Sequence, residues 1–294
     1  MRVFVTGASG HIGSAVVPEL IKAGHDVTGL ARSDASAAAV SALGARVCRG
    51  DLTDPAGLRA AAADADAVVH LAFDHATMIA GDFAGAVTTD LAVVQAMGEA
   101  LAGTGKTFIG VGVRRSGDAR RDAAVDANPR GAVSRAIDEL GQRDVRTILV
   151  AIPPVTHSRQ DKHGFIPMLI KIARDTGVSG YVGQGANHWP AGHTLDVAAL
   201  YPLALAKAPA GAQLFAAAED GIEVRRIAEA IGRRLGIPAV SIPAEQAAGH
   251  FRGFPFAAMD ITMPGGQTRE LLGWEPTHPG LIADLEEDHY FKAG

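Results

Sequence analysis

The sequence predicts a doubly wound α/β fold, in which a parallel β-sheet is covered by helices on both faces. Three observations lead to this prediction. Short apolar segments alternate with amphipathic ones at a steady pace up to residue 151, as successive right-handed β-α-β units require. The apolar segments lack polar alternation, which indicates strands buried on both faces. A glycine-rich stretch separates the first apolar segment from the first amphipathic one.

Each predicted strand of this half is short and apolar, and each predicted helix carries apolar residues three or four positions apart. Gly24 is placed to end the first helix, and Asp54 to cap the helix that begins at Pro55. The predicted strands are Val3–Val5, Asp26–Leu30, Ala45–Cys48, Ala67–Leu71, Thr107–Val111 and Val145–Ala151. The predicted helices are His11–Ala23, Ser36–Leu43, Pro55–Ala63, Ala84–Ala102 and Pro129–Leu140.

The alternation loosens after Pro153 and Pro154. Residues 1–152 are therefore assigned to one domain, and 153–294 to a smaller α/β region that would bind substrate, with the option that the chain re-enters the first sheet. Short strands are expected near Tyr181 and at Gln213–Phe215. The helices expected here are Phe165–Thr176, Leu195–Lys207, Val224–Leu235, Glu245–His250, Gln267–Leu272 and Leu281–Phe291.

The glycine-rich stretch has the pattern Thr6-Gly7-x-x-Gly10-x-x-Gly13, between a strand and a helix. In this context glycines allow a sharp turn, a close approach of the backbone to a pyrophosphate, and tight helix–strand packing. The pyrophosphate then lies on the N–H groups at the helix N-terminus. The stretch predicts a Rossmann dinucleotide-binding domain, whose phosphate contacts are Gly7, Ser9, Gly10, His11, Ile12 and Gly13.

The end of the second strand distinguishes NAD from NADP. An acidic residue there would bind the ribose 2′-hydroxyl, but the chain reads Gly29-Leu30-Ala31-Arg32-Ser33. Arg32 and Ser33 are suited to hold a 2′-phosphate, which favours NADP(H), with NAD(H) as the alternative. In that alternative Arg32 is a solvated loop residue and Asp34 binds the ribose.

Further cofactor contacts are expected at the ends of the third and fourth strands. The Asp51 carboxylate can accept from the adenine amino group, or it can cap the next helix. Leu52 follows it. The stretch Leu71, Ala72 and Phe73 ends the fourth strand, at the edge where open α/β sheets bind ligands.

These pieces, together with Gly50-Asp51-Leu52 and Val69-His70-Leu71-Ala72, resemble the extended or atypical short-chain dehydrogenase/reductases of the NAD-dependent epimerase/dehydratase group. The resemblance extends over nearly the whole chain. It implies a soluble NAD(P)-dependent enzyme that acts on a small molecule. In many members of that group the helices that correspond to Ala84–Ala102 and Pro129–Leu140 pair across a homodimer interface, and the sequence leaves open whether they do so here.

The family's catalytic residues are a serine or threonine after the fifth strand and a Tyr-x-x-x-Lys on the next helix. Here no such hydroxyl follows Val111, and Ser116 comes several residues late. Gly131 stands at the tyrosine position and Arg135 at the lysine position. The pattern is similar to an atypical subgroup that often has His-x-x-x-Arg there. Arg135 can hold ribose hydroxyls, but it does not release a proton at neutral pH.

Either another group supplies the proton, with His75, His157, Tyr181 and water as the candidates, or no redox chemistry occurs. His75 follows the fourth strand, and His157 opens a polar loop that ends at Gly164. For both, a solvated loop residue is the alternative. No metal is expected, because His70, His75, His188 and His193 lack the paired spacing of metal ligands.

Composition narrows the class further. A formal charge of −5 lacks the basic footprint of a nucleic-acid-binding protein. The single cysteine, Cys48, permits no intrachain disulfide, and neither a signal peptide nor a membrane-spanning stretch is recognisable. We therefore expect a cytoplasmic protein. The leading function is an NADP(H)-dependent oxidoreductase for a small carbonyl or hydroxyl compound. The alternatives are a non-redox isomerase, lyase or cyclase, and a cofactor-binding sensor or scaffold without turnover.

Overall fold

The computed structural model describes residues 1–113 and 128–292. These residues form two compact units. The first comprises Met1–Ile152, Ala198–Phe215 and Gln267–Trp274, and the second comprises Pro153–Val197, Ala216–Gly266 and Glu275–Gly294. The first unit is therefore built from three separate stretches of chain. Two of these stretches come from the half of the sequence that was expected to form the substrate-binding region.

Strands and helices alternate through most of the described chain. The strands are β1 (Arg2–Thr6), β2 (Asp26–Ala31), β3 (Arg46–Arg49), β4 (Ala67–His70), β5 (Thr107–Val111), β6 (Arg146–Ala151), β7 (Val155–His157), β8 (Ser179–Val182), β9 (His188–His193), β10 (Ala212–Phe215), β11 (Glu219–Glu223) and β12 (Ala239–Ile242). The α-helices are α1 (Gly13–Lys22), α2 (Asp34–Ala42), α3 (Pro55–Asp64), α4 (His75–Ile79), α5 (Phe83–Leu101), α6 (Gly131–Gly141), α7 (Phe165–Thr176), α8 (Thr194–Lys207), α9 (Val224–Leu235), α10 (Ala244–His250), α11 (Gly266–Leu272) and α12 (Leu281–Leu285).

The first unit contains a seven-stranded sheet in the order β10-β6-β5-β4-β1-β2-β3. Every neighbouring pair in it is parallel. The strand order reverses between β1 and β4, which is the place where doubly wound sheets bind ligands. The central strands are buried on both faces, as at Val3, Phe4 and Val5. The predicted fold class is confirmed.

Helix boundaries in this unit follow local capping chemistry. Ser33 caps α2 by accepting from the backbone N–H of Ser36. The helix therefore begins at Asp34, two residues before its predicted start at Ser36. Asp54 caps α3 as predicted, and Asp82 caps α5 in the same way. The short helix α4, capped by Asp74, was not anticipated, because a five-residue helix carries almost no periodic signal.

The second unit contains a three-stranded sheet in the order β11-β9-β7 and a two-stranded parallel pair, β12-β8. Its core is a single cluster around Ile166, Trp189, Ile227 and Leu281, all fully buried. The closing helix predicted at Leu281–Phe291 is shorter, because it stops at Leu285 and is followed by a 3-10 turn, Asp288–Tyr290. Both pieces nevertheless contribute buried side chains to this unit.

Candidate functional site

The glycine-rich turn joins β1 to α1, and two of its glycines cannot be replaced without a collision. Gly7 has a φ of +68°, and a Cβ there would lie 2.8 Å from the backbone nitrogen of Ala72. A Cβ on Gly13 would lie 2.1 Å from the carbonyl oxygen of Gly7. The turn is thus folded tightly onto itself and onto the end of β4, so that only glycine fits at these two positions.

The other predicted phosphate contacts lie on the outer side of this turn. Gly10 donates its backbone N–H to the Gly7 carbonyl at 2.9 Å, and its own carbonyl accepts from Ser14 at 2.9 Å. Ser9 and Gly10 are exposed, while His11 and Ile12 are half-buried. Solvent therefore reaches the turn at Ser9 and Gly10, whereas Gly13, the first residue of α1, is buried. The predicted contact of this turn with a pyrophosphate stays a prediction.

Arg32 is an exposed residue just beyond β2. Its positive charge lowers the pKa of two carboxyl groups at the carboxyl edge of the sheet, Asp51 and Asp74. The pKa of Asp51 is lowered chiefly by the backbone N–H of Thr53, and Arg32 adds to this effect. The pKa of Asp74 is lowered chiefly by the Thr77 hydroxyl, again with a contribution from Arg32. The guanidinium therefore lies near both carboxylates.

A second arginine, Arg49 at the end of β3, was missed by the sequence analysis. The register places Arg49 beside Ala31, the residue before Arg32. Its guanidinium donates to the carbonyl oxygen of Ser33 at 2.6 Å and forms an ion pair with Asp34. The acidic side chain closest to the end of β2 is thus already held by an arginine. The Ser33 hydroxyl caps α2, a use that the sequence analysis did not foresee.

Asp51 is used within its own loop. One carboxylate oxygen, Oδ1, accepts from both the backbone N–H and the hydroxyl of Thr53, each at 2.9 Å. Asp54 is the residue that caps α3, so Asp51 is not that cap. Asp51 and Leu52 are both half-buried. The proposed contact of Asp51 with an adenine amino group stays a prediction.

A chain of hydrogen bonds runs from the glycine-rich turn to the middle of α5. The Ala72 N–H donates to the hydroxyl of Thr6 at 3.2 Å, and that hydroxyl lies 2.6 Å from Nδ1 of His70. His70 Nε2 lies 2.8 Å from Oδ1 of Asp90. The Thr6 hydroxyl and the Asp90 carboxylate thus engage both ring nitrogens of His70. Thr6, His70 and Asp90 are all buried.

Phe73, at the end of the same loop, carries two basic side chains. The guanidinium of Arg130 lies over its ring at 4.5 Å from the centroid, and His75 meets its edge at 5.3 Å between centroids. Arg130 also donates to the second oxygen of Asp90 at 3.2 Å. His75 is exposed, yet its pKa lies below the ordinary value, because partial desolvation, aided by Arg130, outweighs the opposing contacts. Leu71 and Ala72 are half-buried beside them.

The segment after β5 contains no hydroxyl in the described part of the chain. A Cβ on Gly112 would lie 2.5 Å from the hydroxyl of Ser134, which bonds both the N–H and the carbonyl of Val113. Gly131 is buried and Arg135 is exposed on α6. The role predicted for Arg135 is not decided by this placement. Ser116 lies outside the described residues.

His157 is placed differently from the expectation of an accessible proton donor. It ends β7, has no exposed surface, and its Nδ1 lies 2.8 Å from Oδ2 of Asp284. Burial alone would raise the pKa of the Asp284 carboxyl. The hydrogen bond from His157 and the positive charges of the nearby imidazoles have the larger effect, so this pKa is lowered. A side chain enclosed in this way cannot touch a substrate, so the structure does not support the prediction that His157 is the donor.

Tyr181 lies on β8 and is half-buried. The guanidinium of Arg225 lies 5.7 Å from its ring centroid. A Cβ on Gly185 would come within 2.7 Å of the tyrosine ring, which shows that the backbone of that turn packs directly against it. Its predicted role as a proton donor stays a prediction.

The second unit brings together His193, Asp196 and His278, whose ligand atoms all lie within 4.8 Å of one another. The two imidazoles are stacked at 4.6 Å with an angle of 5° between their planes. Since an imidazole binds a metal in its own ring plane, two stacked rings cannot converge on one ion as placed. Both Asp196 oxygens accept backbone N–H groups, from Thr277 and His278. The cluster is therefore a hydrogen-bonded tie between two chain segments.

Fold and site together define a Rossmann protein of the dinucleotide-binding type. The sequence profile of the NAD dependent epimerase/dehydratase family matches residues 3–122. An uncharacterized protein of Schizosaccharomyces pombe is 40% identical over 300 residues, covering 99% of this chain and 100% of that protein. One of Saccharomyces cerevisiae is 39% identical over 302 residues, covering 98% and 99%. The chain belongs to one family with these two proteins. Its residues 3–122 match the NAD-dependent epimerase/dehydratase domain, and the resemblance to that group drawn from the sequence is confirmed.

Among solved structures, UDP-glucuronic acid 4-epimerase from Bacillus cereus, in complex with UDP-glucuronic acid and NAD, is similar with a TM-score of 0.72. Its identity is 19% over 98% of each chain, so this likeness shows the fold alone. No helix in the described ranges combines the length and the apolar character needed to cross a bilayer.

Proposed function

We propose that this protein is an NADP(H)-dependent oxidoreductase that acts on a small carbonyl or hydroxyl compound. The observation that carries the proposal is the pairing of a glycine turn too tight for any side chain with two arginines at the ends of β2 and β3. Ser9 and Gly10 are exposed just before α1, which leaves that side of the turn open to a pyrophosphate. The similar Bacillus cereus epimerase, whose structure contains NAD, supports a dinucleotide at this edge of the sheet.

The preference for NADP(H) follows from the charges near the end of β2. Arg32 is exposed there and is suited to a charge-assisted bond with a 2′-phosphate. Asp34 would repel that phosphate, but Arg49 pairs with its carboxylate and neutralises it. The end of β2 thus has two arginines, Arg32 and Arg49, and its nearest carboxylate, Asp34, is paired with Arg49 and is not free to bind the ribose hydroxyls of NAD. NAD(H) would be the weaker ligand.

A bound nicotinamide would supply hydride at its C4 atom, and the chain must supply the rest. His75 is the exposed imidazole next to Phe73 and is our proposed proton donor, because it is accessible and is the first residue of α4, shortly after β4. Arg135 is proposed to hold ribose hydroxyls from the position of the family's lysine. Neither Gly112 nor Gly131 offers a side chain, so the usual hydroxyl pair does not operate.

The test separates binding from turnover. Calorimetric titration with NADPH and NADH measures cofactor choice, and NADPH absorbance with a panel of small aldehydes and ketones measures reduction. Tighter NADPH binding with steady NADPH consumption supports the proposal. Equal affinities, or tighter NADH, contradict the cofactor assignment.

The missing hydroxyls favour one alternative. Since both Gly112 and Gly131 lack the groups that assist hydride transfer in the family, the same fold can serve a non-redox isomerase, lyase or cyclase, or a sensor. Binding of NADPH without consumption, with every carbonyl in the panel, would favour that alternative over the oxidoreductase.

A further inference from the structure

Arg130 lies in a restrained position at the carboxyl edge of the sheet in the first unit. Its guanidinium rests on the face of Phe73, and its side chain is only 22% exposed. The nitrogen Nη2 donates to Asp90 at 3.2 Å and lies 3.4 Å from the carbonyl of Val111. Stacking on a ring and pairing at one end fix a planar group in both position and orientation.

The partner that holds Arg130 is itself immobilised. The side chain of Asp90 is 1% exposed, and its other oxygen takes the hydrogen bond from His70, which in turn is bonded to Thr6. A buried carboxylate with both oxygens engaged has little freedom to move. Arg130 is therefore anchored by a chain of buried groups that starts next to Gly7.

The anchoring leaves part of the guanidinium unused. An arginine offers five N–H donors, and the acceptors in the described part of the chain bond only Nη2. The Nε atom of Arg130 is buried without a hydrogen-bond partner among the described residues. Leaving a buried donor unbonded is costly. The part of Arg130 that a ligand can reach is the 22% of its side chain that stays exposed.

The surroundings indicate what that ligand is. Asp90 balances one positive charge, yet the remaining donors of Arg130 still form the planar fork that matches a carboxylate. His75 contacts the same phenylalanine ring in a T-shaped arrangement. Arg130, which can bind a carboxylate, and His75, which can donate to a carbonyl oxygen, therefore both pack against Phe73.

We propose that Arg130, positioned by Asp90 and Phe73, binds the carboxylate of the substrate, and that the substrates are carbonyl compounds carrying a carboxylate. This inference rests on the proposed function and names the substrate class of that same site. It assigns a role to Arg130, the residue directly before the glycine that replaces the family's tyrosine.

The experiment uses the full-length protein saturated with NADP⁺, so that no reduction occurs. Two probes are titrated by ligand-observed NMR: pyruvate, which carries a carboxylate, and methyl pyruvate, in which a methyl ester replaces the charged group. We expect pyruvate to bind about tenfold or more tightly than the ester, the size of one charge-assisted contact. Equal binding of both probes, or binding of neither at high millimolar concentration, overturns the proposal.

The variant Arg130→Met should weaken pyruvate about ten- to a hundredfold and leave the ester unchanged, since only the charged contact is lost. Arg226→Met is the matched control, because Arg226 is an exposed arginine on α9. Arg130→Lys keeps the charge but not the fork, so it should retain part of the preference. Should Arg130→Met fail to fold, an unchanged preference in Arg130→Lys and in Asp90→Asn overturns the proposal.

NADPH affinity is measured on the same variants. If Arg130→Met weakens NADPH instead of pyruvate, Arg130 serves the cofactor and the proposal is wrong. If wild type binds no NADPH, the proposed function fails. The charge preference of the probes can still be measured on the free protein, so the two failures are distinguishable.

Discussion

The imidazole of His75 meets the ring of Phe73 edge-on, with 5.3 Å between the centroids, while Arg130 covers the face of the same ring. One apolar side chain thus supports two basic groups at the end of β4. In the family the proton comes from a tyrosine on the helix after β5. Here the accessible imidazole is that of His75, at the start of α4. The dependence of the reaction rate on pH, and its response to substitution, should therefore follow His75.

If His75 is the proton donor, His75→Gln should lower turnover about 10²- to 10⁴-fold, the usual contribution of a general acid, while NADPH affinity survives. The pKa of His75 is lowered, and only the protonated imidazole can donate. The rate of carbonyl reduction should therefore fall as the pH rises through a value below 6.5. A pH–rate profile checks this. A profile that is flat between pH 5 and 8, or full activity of His75→Gln, contradicts the assignment.

Cofactor choice depends on the two arginines near β2. Arg32→Ala should weaken NADPH about ten- to a hundredfold and leave NADH nearly unchanged, because one charge-assisted contact is lost. Arg49→Ala should shift the ratio further toward NADH, since it also releases Asp34 to bind a ribose hydroxyl. Calorimetry with both cofactors measures the two ratios. A loss of NADH binding as large as that of NADPH would show that these residues act on the turn and not on the phosphate.

The glycine-rich turn should not tolerate a single methyl group at its tightest point. In Gly13→Ala the new Cβ would lie 2.1 Å from the Gly7 carbonyl oxygen. We expect a loss of about 1–3 kcal/mol in the free energy of unfolding, the usual cost of overpacking, together with loss of NADPH binding. Urea denaturation measures the first and calorimetry the second.

Gly249→Ala is the matched control, because nothing lies within 4 Å of the position of its added Cβ in α10. It should be neutral or stabilise by up to about 1 kcal/mol, as alanine does in a helix. Equal effects of the two substitutions would mean that the turn relaxes around the added methyl group and is not restricted to glycine.

The stability of the second unit should decrease in mild acid. Desolvation, with the nearby His157 and His278, lowers the pKa of His193 to about 4 from 6.5. The unfolded chain therefore takes up a proton at this residue before the folded chain does, and stability is complete above pH 6.5 and declines as the pH falls toward 4. The lowered pKa of Asp284 acts in the same direction at still lower pH.

In His193→Asn this decline between pH 6.5 and 4 should be smaller, because the titrating imidazole is gone. His163→Asn, at an exposed position, is the control and should keep the decline. Thermal melts over this pH range provide the measurement. A decline of the same size in His193→Asn would place its origin in other groups.

Local patterns were enough for the turn that follows β1 and for one helix of the second unit. The turn around Gly7 and Gly13, and the helix from Phe165 to Thr176, follow from turn chemistry and from helical periodicity, which act within a few residues. The pairing of Arg130 with Asp90 joins residues 40 positions apart, and that of His157 with Asp284 joins residues 127 apart. No local spacing encodes such pairs.

The error about His157 has the same origin. A histidine in a polar stretch was expected to be accessible, but the stretch begins with a strand whose last residue points into the core of the second unit. Asp90 was read only as part of an amphipathic helix. An acidic residue on the buried face of α5 is the one signal that would have indicated a partner such as His70 or Arg130.

The return of the chain to the seven-stranded sheet has a consequence for any attempt to divide the gene. A fragment that ends at Ile152 would lack β10, the parallel neighbour of β6, and would leave β6 as a bare edge open to intermolecular pairing. Arg146 would also lose three of its acceptors, the carbonyls of Ala204, Leu205 and Ala208, and would keep only the Thr107 hydroxyl among the acceptors in the described residues. The nucleotide-binding half is thus not a module that can be expressed or exchanged alone. Two segments of the second unit, Pro153–Val197 and Ala216–Gly266, lie between segments of the first unit along the chain, and the third, Glu275–Gly294, follows the last of them.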